Sequence, residues 1–167
     1  MNWSFTGFHS HHILATVALQ QRSTHLPTPR SARVSLRKDA VTAGVALLGL
    51  YNVALAVFMA VAPHTFYDHV GPFGVRNDHY IRDTATFSAA IGVGLLIALR
   101  RPSWRVPMLA ISAVQFALHS INHLLDIDKA HPAWNGYFDF FSLAAATILL
   151  AWLLRVARAE RTTTDRN

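Results

Sequence analysis

The chain of 167 residues contains no cysteine. Disulfides, thiolate metal centres, thiol nucleophiles and cysteine-held iron–sulfur clusters are thereby excluded. Charge is scarce too. Asp, Glu, Lys and Arg make up 14% of the residues, against about 25% in an ordinary soluble domain. No glycine-rich loop of the phosphate-cradling kind occurs, because Gly71-Pro-Phe-Gly74 reads as a turn whose shape Pro72 sets. The net charge of +6 comes without exposed aromatics interleaved among the basic residues, so no nucleic-acid partner is expected.

What the chain has in quantity is apolar sequence, at 52% of residues. Four runs reach the roughly 17–25 residues that a membrane helix needs. They are expected at about residues 40–62, 81–99, 106–126 and 136–155. The fold class is therefore all-α, an integral membrane four-helix bundle occupying residues 39–157, multi-pass in the plasma membrane with the lipid bilayer as its partner. Residues 158–167 read as a polar tail. Residues 1–38 carry His9, His11, His12 and His25 with Pro27, Pro29 and scattered arginines. They are expected to be a disordered, basic extension of linker composition. The pairs Ala85/Ala89, Ser88/Gly92 and Ala90/Gly94 give the second run a small-residue face suited to close helix packing.

The third run is not uniformly apolar. At about 100° per residue, Ser112, Gln115, His119, Asn122, His123 and Asp126 fall on one stripe roughly 80° wide. Polar and ionisable groups at membrane depth are costly, so this stripe is expected to face protein or water instead of lipid.

Basic residues orient the bundle. Arg22, Arg30, Arg33, Arg37, Lys38, Arg100, Arg101, Arg105, Arg155, Arg158, Arg161 and Arg166 fall on one side, and only Arg76, Arg82 and Lys129 on the other. The positive-inside rule then gives N-in/C-in. On the outer side this arrangement gathers His64, Asp68, His69, Asp78, His79, Asp83, His119, His123, Asp126, Asp128, His131 and Asp139. His79/Asp83 and His119/His123 are both i,i+4 pairs, which stack on one helix face. Imidazole and carboxylate in such pairs can share a divalent metal, so His79, Asp83, His119 and His123 are the candidate ligands. Asn77, Arg82, Asn122, Asp126 and Asp139 are candidate pocket residues. Haem held by His79 with His119 or His123 is the other cofactor this set allows, and a proton or substrate path is a third chemistry. The bland alternative is a polar network packed helix to helix, in a non-catalytic subunit that forms a homo-oligomer or meets a membrane partner. A Ser-His-Asp arrangement is poor, since Ser120 and Ser88 lie off the stripe or deep in a run.

Thr65-Phe-Tyr-Asp68, the Gly71–Gly74 turn, Asn77-Asp-His-Tyr-Ile-Arg-Asp83 and the late His-x-x-x-His resemble a group of small four-span membrane proteins of high-GC Gram-positive bacteria. The similarity covers about residues 40–155. It implies the fold and points to Asn77, His79, Arg82, Asp83, His119 and His123, while implying no activity. DoxX-like bundles are similar only in general fold.

The twelve-to-three division of basic residues makes the orientation testable. Alkaline phosphatase fused after Arg161 is expected to stay inactive, and an active fusion there would overturn N-in/C-in.

Overall fold

The structure is a computed structural model that describes residues 29–164, with side chains over residues 35–162. Residues 1–28 of the expected arm, with its four histidines, lie outside the described residues. Contacts divide the chain into two units, residues 1–36 and 37–167, and the membrane bundle belongs to the second. All regular structure among the described residues is helical: α1 Pro29–Val61, α2 Pro63–His69, α3 Asp78–Arg100, a 3₁₀ turn at Pro102–Trp104, α4 Arg105–Leu125 and α5 Ala133–Thr164.

Four of these helices are long and apolar enough to cross a membrane, with candidate spans Ser35–Val61, Asp78–Arg100, Pro102–Leu125 and Ala133–Thr162. The expected runs are all present, and the helices overrun them. α1 starts at Pro29, inside the stretch read as an extension, and α5 continues to Thr164 through the stretch read as a tail. Only 17–28% of the residues in each apolar window are buried in the bundle. Leu47, Phe87, Leu118 and Ile148 are each more than half exposed. An apolar surface of that extent does not stay in water, and the chain is a multi-pass membrane protein whose outward faces meet lipid.

Local chemistry sets the helix ends. Pro63 has no N–H to donate and crowds Ala62, so α1 stops and α2 begins with Pro63 at its first position. The Asn77 side chain caps α3, accepting from the backbone N–H of His79 at 3.1 Å and Tyr80 at 3.3 Å. Between α2 and α3 the chain turns through Gly74, whose φ of +60° suits glycine. The Tyr67 hydroxyl donates to the Gly74 carbonyl and pins this turn. The loop before α3 pairs with the loop before α5: Phe73 and Ala130 form a lone antiparallel bridge, and the His131 N–H donates to the Pro72 carbonyl at 3.2 Å. At the other end, the Arg105 side chain closes the tight turn by donating to the Ala98 carbonyl at 3.3 Å.

The packing differs along the bundle. At the arginine-rich end all four long helices contribute to one core, with Val41, Val45, Leu95, Ala98, Leu109, Leu150 and Leu153 at its centre. At the loop end the buried apolar cluster is smaller: Ala56, Met59 and Ala85, with Phe66 and Ile81 against them. The small-residue face of α3 is used on two sides. A Cβ at Gly92 would sit 2.8 Å from the Val53 backbone nitrogen and 2.9 Å from the Gly49 carbonyl oxygen, so α1 and α3 touch backbone to backbone. A Cβ at Gly94 would instead meet the mobile end of the Met108 side chain of α4.

These two contacts predict different costs. Gly92→Ala forces backbones apart and is expected to destabilise the bundle by about 1–3 kcal/mol. Gly94→Ala should cost less, because Met108 can change rotamer. Thermal unfolding of both variants in detergent checks the order, and equal losses would contradict it.

Candidate functional site

Because the second cluster is small, the loop end of the bundle encloses a cavity of about 490 Å³. Each helix brings a few side chains to it. α4 presents Gln115, His119, Asn122 and His123 of its polar stripe, with Phe116 beside them. α5 adds Asp139, Ser142 and Leu143, α3 adds Thr84, Phe87, Ser88 and Ile91, and α1 adds Tyr51, Asn52, Leu55 and Met59. Phe66 of α2 and Val70, Gly71 and Phe73 of the loop after it line the loop end. The chamber thus mixes aromatic and aliphatic side chains with polar ones from every long helix, and no Lys or Arg lines it.

Two side chains stand out on the polar wall. His123 Nδ1 and Asp139 Oδ2 lie 4.0 Å apart, on side chains only 13% and 15% exposed. That separation is too long for a hydrogen bond, and both atoms are buried without a hydrogen-bond partner. Leaving such groups unpaired costs about 1–3 kcal/mol each. Their neighbours hold them in place. Phe73 stands edge-on to the His123 ring at a centroid distance of 4.8 Å, and His119 does the same from one turn below at 4.7 Å. Loop pairing between Phe73 and Ala130 therefore bears directly on the imidazole.

Of the side chains singled out by sequence, the structure brings His119, Asn122, His123 and Asp139 to this cavity. The others are elsewhere. Asn77 is the α3 cap, and Arg82 is exposed. Asp126 accepts from Lys129 at 2.6 Å, and this hydrogen bond raises the pKa of the Lys129 ammonium above its ordinary value. His79 and Asp83 approach each other at 3.4 Å on largely exposed side chains, and neither lines the cavity. The expected set of four metal ligands is therefore not assembled. Among the described residues no three His, Asp or Glu side chains are arranged to hold a metal ion. Haem ligation through His79 meets the same obstacle. The reason is helical phase. The inward face of α3 is marked by buried Ala85 and Gly92, and at 100° per residue His79 and Asp83 lie roughly 120° and 160° around from Ala85.

Sequence reasoning passed over the α1 contribution. Asn52 is 3% exposed and donates to the Leu48 carbonyl at 2.8 Å. It is the one amide in the charge-free run 40–62, and the cost argument that turned the α4 stripe inward applies to it equally. Ser142 and Thr84 gave no such signal, since each bonds a carbonyl of its own helix. Comparison with known protein families, with curated proteins and with solved structures gave no match.

Proposed function

We propose that this membrane protein binds a small molecule with a hydrogen-bonding head in its loop-end cavity, His123 and Asp139 holding the head. The observation that carries the reading is the pair of buried, unpartnered atoms 4.0 Å apart. An oxygen placed about 2.8 Å from each would satisfy both. A hydroxyl is suited to that position, since it donates to the carboxylate and accepts from the imidazole N–H. The apolar lining residues Phe116, Leu143, Leu55 and Met59 would take the apolar body, the mixture of polar and apolar groups usual in ligand sites.

The alternative was a structural network in a non-catalytic subunit. Such a network requires hydrogen bonds between helices. Among the described residues Gln115, His119, Asn122 and His123 make no side-chain hydrogen bond to another helix, and the His123–Asp139 approach is their one polar contact across helices. His119 and His123 are drawn inward without being consumed by packing, which favours binding. With N-in/C-in orientation, the cavity opens toward the outer face of the plasma membrane. The resemblance to four-span proteins of high-GC Gram-positive bacteria fits that placement.

The two readings differ in what His123 and Asp139 do for stability. If they serve a ligand, His123→Leu and Asp139→Leu remove groups that are unpaired in the free protein. Thermal unfolding in detergent is then expected at the same midpoint or higher. Titrating 1-hexanol should raise the midpoint of the native protein, and hexane should not, because only the alcohol can bridge the two atoms and stabilise by mass action. Both variants should lose the hexanol effect. A marked fall in midpoint for either variant, with hexanol and hexane indistinguishable on the native protein, would instead make the stripe a structural network.

A further inference from the structure

We infer that the cavity is loaded sideways from the bilayer, through the seam between α3 and α4, by a single-chain amphiphile whose tail lies in a groove on that seam. The inference rests on the binding reading above and adds the ligand's class and its route.

A second hollow, of about 520 Å³, runs along the outside of the bundle between these two helices. Ala90 of α3 and Ala110, Ile111 and Val114 of α4 form its own walls. Its remaining three lining residues, Phe87, Ile91 and Gln115, also line the cavity. The two hollows are therefore separated only by these three side chains. Phe87 is 67% exposed. The helices meet tightly lower down, where Gly94 admits Met108. Above that contact the small side chains of Ala90 and Ala110 leave the seam open.

The chemistry along α4 is graded by depth. Asn122 and His123 lie at the loop end, His119 one turn deeper, then Gln115 at the boundary, then Ile111 and Ala110 in the groove. From His123 to Ala110 the helix rises about 20 Å at 1.5 Å per residue. That is close to one leaflet of a bilayer whose hydrocarbon core is roughly 30 Å thick. A molecule with its hydroxyl between His123 and Asp139 and its chain running down past Gln115 would thus lie as a lipid lies in that leaflet. Every residue lining the groove belongs to a span; Ile91 and Ala110 are half-buried and the others are exposed, with Ile111 at 57% and Val114 at 60%. Hydrocarbon chains are the material on that side. Gln115 is the exception, an exposed amide on an apolar span, a position that is costly unless the residue meets something polar passing it.

The absence of cysteine allows a direct test with one introduced thiol. Ser142→Cys places it on the α5 wall of the cavity, across from the seam. In phosphatidylcholine vesicles, N-dodecylmaleimide dissolved in the bilayer and a charged trimethylammonium methanethiosulfonate in the water compete to reach it, and mass spectrometry reads the adduct. Lateral loading predicts rapid modification by the dodecyl reagent. It also predicts loss of that modification when Ala90→Phe and Ala110→Phe fill the groove. The milder pair Ala90→Leu and Ala110→Leu should give an intermediate loss, which separates plugging from misfolding. Modification by the charged reagent alone, unchanged by the plugs, would overturn the lateral route while leaving the cavity reading intact. If neither reagent reaches the thiol, the cavity reading itself fails. A change of oligomeric state in the plugged variants at undiminished dodecyl labelling would assign the groove to a second copy of the chain and also overturn the route.

Discussion

In a bilayer no water is available to a polar group on a helix surface, and this constraint governs the molecule. Backbone groups meet it by forming helices throughout, and polar side chains must meet it by turning into the bundle. On α4 the consequence is strong, because Gln115, His119, Asn122 and His123 share one side of an otherwise apolar helix. His119 and His123, half-buried at its centre, fix the rotation of α4; Gln115 and Asn122 lie exposed at its edge, and the face that carries Leu118 and Ile121 is given to lipid. α1 obeys the same rule through Asn52, buried at the same end. Most of the buried polar side chains, Asn52, Ser120 and Asn135 among them, lie toward the loop end, while Ser112 is buried deeper on α4.

That asymmetry divides the packing. The arginine-rich end carries a continuous core drawn from four helices, and α1 and α3 touch there and at mid-depth through glycine. The loop end has three fully buried apolar residues and a chamber. Interiors are normally packed to crystal density, so a chamber of about 490 Å³ is a departure that must be stabilised by something other than its own walls. The paired loops supply part of that. The Phe73–Ala130 bridge and the His131 to Pro72 hydrogen bond tie the two loops into one cap, and Phe73 reaches from it to the His123 ring.

The His123–Asp139 pair shows how a site departs from local consistency. Each level of the α4 pattern argues for satisfied or hidden polar groups, yet two buried atoms are left at 4.0 Å. Near the pair the loop after α4 lies directly on the start of α5, since a Cβ at Gly136 would collide with the Ile127 carbonyl oxygen.

Membrane insertion, the number of spans and the inward face of α4 were legible in the residues alone, because they follow from run length, charge scarcity and one-helix periodicity. Periodicity also made His119, Asn122 and His123 visible together, since i,i+4 neighbours share a face whatever the helix packs against. The relation between helices was not legible. His79 and Asp83 repeat the i,i+4 spacing of the α4 pair, but spacing says nothing of which way the pair points, and α3 turns that face outward because Ala85 and Gly92 are what its neighbours need. Asp139 and Asn52 each stand out in their own runs, but that Asp139 meets His123 across two helices, and that Tyr51 and Asn52 line the same cavity from a third, was not written in local spacing. A single chain's pattern determines which side of each helix tolerates lipid. Only the rotation and close approach of packed helices, decided by glycine and side-chain volume at their contacts, determines which polar residues meet.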